Sequence, residues 1–371
     1  MKIAIITPGG VDRSGVERII PCLLWFIERL VKSGDEVHVF ALRQQTEREQ
    51  WPLLGATVHN AGGSNPLVRG SRTLLDLHHE HRRAPFDVIH ALWAVPQGVW
   101  AAIAGKVLRV PVLLHLPGGD VVDLPEIKYG ARSTCLGRMA LRFAISGANR
   151  IVVPSHYMVR LARELGITAE CIPFGVALDH WPIVAPRRRP DSAPARLLHV
   201  GNLSPVKDQE ALLIAMHYLR ERGTEFQLDI IGEDTLGGVI QRRTVELSLE
   251  SRIGFHGFVS QSALRGYVRA ADLLIVSSMH EAGPIVALEA AACGVPTVGT
   301  NVGLLADWAP DAACAVDVVN GEALGAAIAD ILSNENLRLE LASEAQQRAV
   351  AENADVTTRK IRELYLEIIE R

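Results

Sequence analysis

Two glutamates eight positions apart, Glu281 and Glu289, bracket the stretch "EAGPIVALE". Gly283 and Pro284 follow the first, and Gly294 stands beyond the second. Proline belongs in a helix's first turn and glycine just past its end, so the pattern predicts a helix from Pro284 to Gly294. Eight residues of helix rise roughly 12 Å. The carboxylates that cleave a glycoside stand only about 5 to 9.5 Å apart, so this pair suits something longer than one scissile bond. A second group is Lys207 of "VGNLSPVKD", expected at or near a helix start. A cation there opposes the helix dipole unless an anion sits in front of it. On that stretch alone, a phosphate site and a plain surface lysine both stay open. The third is "TPGGVDRSGVER", residues 7–18, a glycine-rich turn entering a helix. Its N–H groups near Gly15 can face an anion, or the loop is a tight turn with no ligand. Val16 and Glu17 stand where a Walker A loop needs Lys and Ser/Thr, and no G-x-G-x-x-G is present.

These groups need elements to hold them. Apolar β-branched runs alternate with helical-period sequence: "IAIIT" (3–7), a helix near 16–32, "EVHVFAL" (36–42), "DVIHAL" (87–92), "VPVLLHL" (110–116) and "RIVVPS" (150–155). The text from Trp181 to Pro194, "WPIVAPRRRPDSAP", reads as a linker. The pattern then restarts with "RLLHVGN" (196–202), "FQLDIIGE" (226–233), "RIGFHGF" (252–258), "DLLIVSS" (272–278) and "VPTVGT" (295–300). Such alternation predicts an α/β protein of two Rossmann-like domains, residues 1–180 and 190–354, facing across a cleft. Ligands of open parallel sheets bind beyond the carboxyl ends of the strands, which is where Glu281, Lys207 and Gly15 fall.

Bulk properties narrow the classes. The 371 residues are 48% hydrophobic with a net charge of −4. No basic excess asks for nucleic acid, and aromatic residues do not interleave with basic clusters. Five scattered cysteines without a C-x-x-C pair suit a reducing compartment. No apolar stretch is long enough to span a bilayer and no signal peptide is read at the start. The expected location is cytoplasmic, with the apolar segment Ile19 to Val31 raising peripheral membrane contact as a question that a buried helix would also answer. "HHEH" (78–81) offers ligand-type side chains but no third partner, so no metal site is assigned.

At strand ends, the three groups suit a ligand that presents a hydroxyl-rich group, a diphosphate and a hydroxyl pair in sequence, as a nucleotide sugar does. "SGVERIIPCLLWFIERLVKSGDEVHVF" (14–40), "HLPGGD" (115–120), "VVPSHYM" (152–158), "IPFGVALDHW" (172–181), "VGNLSPVKD" (200–208), "FHGFVSQSALRGYVRAADLLIVSS" (255–278) and "EAGPIVALEAAACGVPTV" (281–298) follow one another in this order along the chain. In this the chain resembles the retaining, metal-independent glycosyltransferases of family 4, with the GT-B fold and the E-x7-E region, over essentially its whole length.

The resemblance implies a residue-by-residue assignment. Glu281 and the backbone of Gly283, Pro284 and Ile285 would hold the donor sugar, and Glu289 the ribose. Lys207 would neutralise the departing diphosphate, with Gly15 presenting its N–H from the other domain. Val259 would edge the base, His115 would lie near the transferred sugar, and Asp120 would belong to the acceptor side. Asn202 stands where the family usually has an arginine on the diphosphate, and Arg13 or Arg18 would then compensate. No cofactor or metal is implied. The partners would be a UDP- or GDP-sugar and an acceptor saccharide, lipid-linked saccharide or small metabolite, its pocket lying in loops that include 60–70 and 117–135. A C-terminal helix, 355–371, would pack back on the first domain. The expected reaction is hexosyl transfer to a hydroxyl with retention. A catalytically inactive nucleotide-sugar-binding scaffold and a GT-B sugar-nucleotide epimerase are the alternatives.

Overall fold

The structure is a computed structural model and describes residues 1–190 and 193–370. It contains two compact units, Met1–Phe174 with the segment from Ala354 onward, and Gly175–Asn353. In the first, strands β1 (Lys2–Thr7), β2 (Glu36–Ala41), β3 (Glu49–Leu53), β4 (Ala56–Asn60), β5 (Val88–Leu92), β6 (Val112–His115), β7 (Arg150–Val153) and β8 (Glu170–Cys171) form one sheet. Its order is β3-β4-β2-β1-β5-β6-β7-β8, parallel except where β3 runs against β4. The chain builds outward from β1, then returns to lay β5 on β1's other side, so the connections reverse direction between β1 and β5. Helices α1 (Pro21–Lys32), α2 (Pro66–Arg83), α3 (Val99–Leu108), α4 (Cys135–Ser146) and α5 (His156–Glu164) connect the strands.

Every residue of β1 is buried, as a strand covered on both faces requires. The apolar face of α1 lies in the same core: Cys22 to Ile27 and Leu30 are buried. That burial accounts for the apolar segment that raised membrane contact, and no helix among the described residues is long and apolar enough to cross a membrane. The helix starts later than its sequence suggests. Pro21 begins it, because Arg18 adopts a left-handed φ of 46° and the loop before it closes on itself.

In the second unit, β9 (Ala195–Val200), β10 (Phe226–Ile231), β11 (Ile253–Phe255), β12 (Leu273–Val276), β13 (Thr297–Thr300) and β14 (Cys314–Val316) form a parallel sheet in the order β11-β10-β9-β12-β13-β14. Here the reversal falls between β9 and β12. The helices are α6 (Gln209–Glu221), α7 (Val239–Glu246), α8 (Gln261–Ala270), α9 (Ile285–Ala292), α10 (Gly303–Trp308), α11 (Gly321–Ser333) and α12 (Glu335–Ala351). Leu212, Met216, Phe226, Leu228, Leu273 and Ile328 lie in its core. The stretch 181–194, read as a linker, makes specific contacts with this unit. Arg187 pairs with Asp272 at 2.9 Å, and the Arg189 N–H donates to Glu335 at 2.8 Å. Residues 191 and 192 of it lie outside the described residues.

The last helix, α13 (Ala354–Ile369), belongs with the first unit, and Arg371 lies outside the described residues. Buried Arg29 of α1 donates to Asp355 at 2.8 Å, and Arg362 pairs with buried Asp35 at 2.7 Å. The Tyr365 hydroxyl meets Nδ1 of His90 at 2.6 Å in the interior. Replacing Tyr365 by Phe strands that nitrogen, whose ring already holds an Nε2 unpartnered among the described residues. A loss of about 1–3 kcal/mol is expected in denaturant unfolding. An unchanged midpoint would mean that α13 docks through apolar contacts alone.

Candidate active site

In the second unit, the loop after β9 and the loop after β12 meet at the reversal of strand order. Lys207 comes from the first, on a short turn Pro205–Lys207, and Glu281 from the second. Their charged ends pair at 2.5 Å. Burial works against ionisation of Glu281, but the Lys207 ammonium and the Ser278 hydroxyl at 2.6 Å outweigh it and hold the carboxyl below its ordinary range. An ammonium has three donors, and one is spent here.

The surrounding loop is fixed through small polar side chains. Ser277 donates to the Lys207 carbonyl at 2.8 Å, and Thr300 donates to the Ser278 carbonyl at 2.6 Å. The Met279 N–H bonds the Val206 carbonyl at 2.8 Å. Buried His199 meets the Ile275 carbonyl through Nδ1 at 3.0 Å, and its Nε2 faces the Gln209 amide at 3.3 Å. Burial pushes that histidine down to about 4, so it is neutral, with Nδ1 carrying the proton and Nε2 accepting from Gln209. Gln209 also donates to the Asn202 carbonyl at 3.1 Å. Two glycines make the approach possible. A Cβ on Gly201 would sit 3.1 Å from the Lys207 stem, and one on Gly303, at φ +53°, would strike the Glu281 carbonyl at 2.6 Å.

The second glutamate sits differently. Pro284 caps α9 and Gly294, at φ +68°, follows it. Because α9 begins only at Ile285, Glu281 precedes the helix and the eight-residue spacing is not a helical rise of 12 Å. Glu289 lies on α9, 2% exposed, with Gln261 as a side-chain partner and Oε1 unpartnered among the described residues. Burial pushes its carboxyl up to about 8. Gly283 and Ile285, partly buried, flank Pro284 where the first N–H groups of α9 lack intrahelical partners.

Several sequence expectations change in detail. Lys207 does lie near the start of α6, which begins at Gln209, but it does not face the helix's free N–H groups alone. Asp208, its side chain accepting from the Ala211 N–H at 3.2 Å, caps that helix. The dipole is therefore already answered by a carboxylate, and the argument for an anion shifts to the lysine's remaining donors. Asn202 spends its side-chain oxygen on the Glu233 N–H at 3.0 Å. Gly15 lies well before α1, which begins at Pro21, and its N–H donates to the Asp12 carbonyl at 2.9 Å in a tight turn. Arg13 pairs with Glu49 and Arg18 with Asp12, so both candidate replacements for the missing arginine already have carboxylate partners. Val259 lies partly buried between β11 and α8.

His115 and Asp120 belong to the first unit, in and after β6. The His115 ring is fully buried against Phe174, centroids 4.4 Å apart, and desolvation holds it down at about 3. It presents no exposed atom to a sugar. Its carbonyl accepts the Trp93 N–H at 2.8 Å. Asp120 accepts the Ala94 N–H at 2.8 Å, and burial pushes its carboxyl up to about 6. Both residues thereby hold the loop after β5. The residues that sequence reasoning did not single out are Ser277, Ser278, Gln209 and Thr300. A Ser-Ser pair directly after a buried strand was the available signal.

Residues 19–174 match the family model described as glycosyl transferase 4-like domain, and residues 185–348 match glycosyl transferases group 1. A D-inositol 3-phosphate glycosyltransferase of Arthrobacter is 26% identical over 329 residues, 80% of this chain and 76% of that one. Among solved structures, a sucrose-phosphate synthase from Thermosynechococcus elongatus superposes with a TM-score of 0.82 at 20% identity, covering 100% of this chain and 99% of that one. Anabaena HepE, in complex with UDP and glucose, gives 0.75 at 18% identity, covering 99% and 100%.

Proposed function

We propose that this chain, built from the two Rossmann-like domains of a GT-B glycosyltransferase, transfers a hexosyl unit from a UDP- or GDP-sugar to an acceptor hydroxyl with retention of configuration and without a metal. One observation carries the reading: the Lys207–Glu281 pair stands at the strand-order reversal of the second domain, after β9 and β12. That is where open parallel sheets bind ligands. The nucleotide in the HepE structure agrees with such a donor.

Glu281 accepts sugar hydroxyls while Lys207, with donors left over, faces the diphosphate beside the first turn of α9. The unpartnered Glu289 oxygen accepts the ribose hydroxyls, and the main chain near Val259 borders the base. As the bond from anomeric carbon to diphosphate oxygen breaks, charge grows on the leaving oxygen, and preorganised donors stabilise it most at that moment. The acceptor oxygen bonds to the same face of the anomeric carbon, and its proton passes to the leaving diphosphate. The five cysteines, scattered without a C-x-x-C pair, fit a cytoplasmic setting. The test is nucleoside diphosphate release across donor and acceptor panels with and without chelator, with NMR of the new anomeric centre. An inverted product, or dependence on added metal, would overturn those parts of the reading.

A further inference from the structure

The first domain holds a cavity of about 400 Å³ beyond the carboxyl ends of β1, β2 and β5, at its own reversal of strand order. That volume lies in the range of small-molecule sites. Pro8, Leu42 and Trp93 give it apolar walls, while Arg43, Arg69 and Gln97 line it with polar groups. Arg69 donates only to backbone carbonyls, those of Gly63 and Ser64 at 2.6 and 2.7 Å. Among the described residues, no carboxylate pairs with Arg43 or Arg69. Two arginines therefore line one small cavity with no carboxylate counter-ion among the described residues. Gln97 is 3% exposed, and its Oε1 has no hydrogen-bond partner among the described residues, which is costly unless a ligand donor meets it.

The loop is held in advance for this purpose. Trp93 adopts a φ of 70°, rare for a bulky side chain. The bonds from its N–H to His115 and from the Ala94 N–H to Asp120, both 2.8 Å, fix it there. An aromatic wall, a buried amide acceptor and two unpaired guanidinium groups suit a polyol that carries an anion. Guanidinium groups bind phosphate with paired, charge-assisted bonds.

We propose that this cavity is the acceptor subsite and that the acceptor is a sugar or other polyol bearing a phosphate group, its phosphate held by Arg43 and Arg69 and a hydroxyl donated to Gln97. The assignment of the cavity to an acceptor rests on the glycosyl-transfer reading; its preference for a phosphorylated polyol does not.

Binding is measured by calorimetry on the full chain, with glucose 6-phosphate, mannose 6-phosphate and inositol 1-phosphate against their unphosphorylated parents and inorganic phosphate. Vesicles of phosphatidylinositol against phosphatidylcholine form a parallel arm. At least one phosphorylated probe is expected to bind tenfold or more tightly than its parent, with Arg43→Ala losing at least tenfold. Gln97→Leu should weaken the sugar phosphates but not inorganic phosphate, while unfolding no more easily than the parent chain. Binding in the soluble arm marks a free phosphorylated metabolite, and binding only to phosphatidylinositol vesicles marks a lipid headgroup. Equal binding of the parents, undiminished binding by the Arg43 variant, or no binding in either arm overturns the proposal. UDP and GDP are titrated separately. A chain that takes a sugar phosphate but no nucleotide loses the transferase reading and with it the acceptor assignment, but keeps the cavity's ligand class; a chain that takes a nucleotide but no sugar phosphate keeps the transferase reading and overturns the cavity proposal.

Discussion

Replacing Lys207 by alanine is expected to lower glycosyl transfer by about 10²–10³-fold, the usual effect of removing one preorganised donor from a developing oxyanion. In the resting chain the ammonium is bound to Glu281 at 2.5 Å. A diphosphate entering beside it meets a cation already in place, so no reorganisation is needed as charge moves to the leaving oxygen. Lys207 is partly exposed and Glu281 keeps its Ser278 partner. Glu281 itself is mostly buried, so removing Lys207 leaves a desolvated carboxylate and should also cost about 1–3 kcal/mol of stability, which a Tm measured beside the rate separates from the catalytic loss. The loss should fall on kcat more than on KM, because the interaction strengthens as the bond breaks. Lys207→Arg keeps the charge and should recover part of the rate. Glu281→Gln is the informative partner: it releases the ammonium, so UDP or GDP should bind more tightly while transfer still falls, since the sugar hydroxyls exchange a charged acceptor for a weaker neutral one. Near-normal turnover in the alanine variant would end the proposed role of the charge.

The legible part of this fold was the part under the strongest physical constraint. Strands such as β1 and β12 are buried on both faces of parallel sheets, so their apolar runs stand out in sequence. The edge pair β3 and β4 did not show. "EQWPL" and "ATVHN" mix polar groups with a proline that an edge strand tolerates. The start of α1 was missed because Glu17 and Arg18 look helical, while Arg18 turns back to pair with Asp12. Within the site, residue types at strand ends pointed to Lys207 and Glu281. Their mutual pairing across 74 positions was invisible, because no periodicity links two crossover loops. At α6 the helix dipole is answered locally, because Asp208, one residue after Lys207, caps the helix. His115 was read as a strand-end contact for a sugar, but an aromatic neighbour, Phe174, covers it. Burial of one side chain by a residue distant in sequence is the information a single chain of letters carries least well.

Binding of UDP or GDP should release a proton near neutral pH, and the reason lies in Glu289. Burial pushes this carboxyl up from 4.5 to about 8, so in the unliganded chain at pH 7 it is mostly neutral. Ribose hydroxyls that donate to its oxygens favour the charged form. Nucleotide binding then couples to loss of the proton, and affinity should rise by up to tenfold per pH unit between about 6 and 8, then level off. The nucleotide's own phosphate also titrates at the low end of this window, so the comparison is with Glu289→Gln. In that variant the phosphate contribution stays and the carboxyl contribution disappears. Calorimetry in two buffers of different ionisation enthalpy reads the protons directly. Stability follows the same linkage with the opposite consequence for the free chain. The folded state holds a proton that the unfolded state gives up above 4.5, so the contribution of Glu289 is fully present below 4.5 and is lost as pH rises through 8. Glu289→Gln should therefore gain most over the parent in unfolding temperature at pH 9, an advantage that shrinks progressively as pH falls from about 8 to 4.5. Equal proton release by parent and variant would mean that the hydroxyls of the nucleotide do not reach this carboxyl.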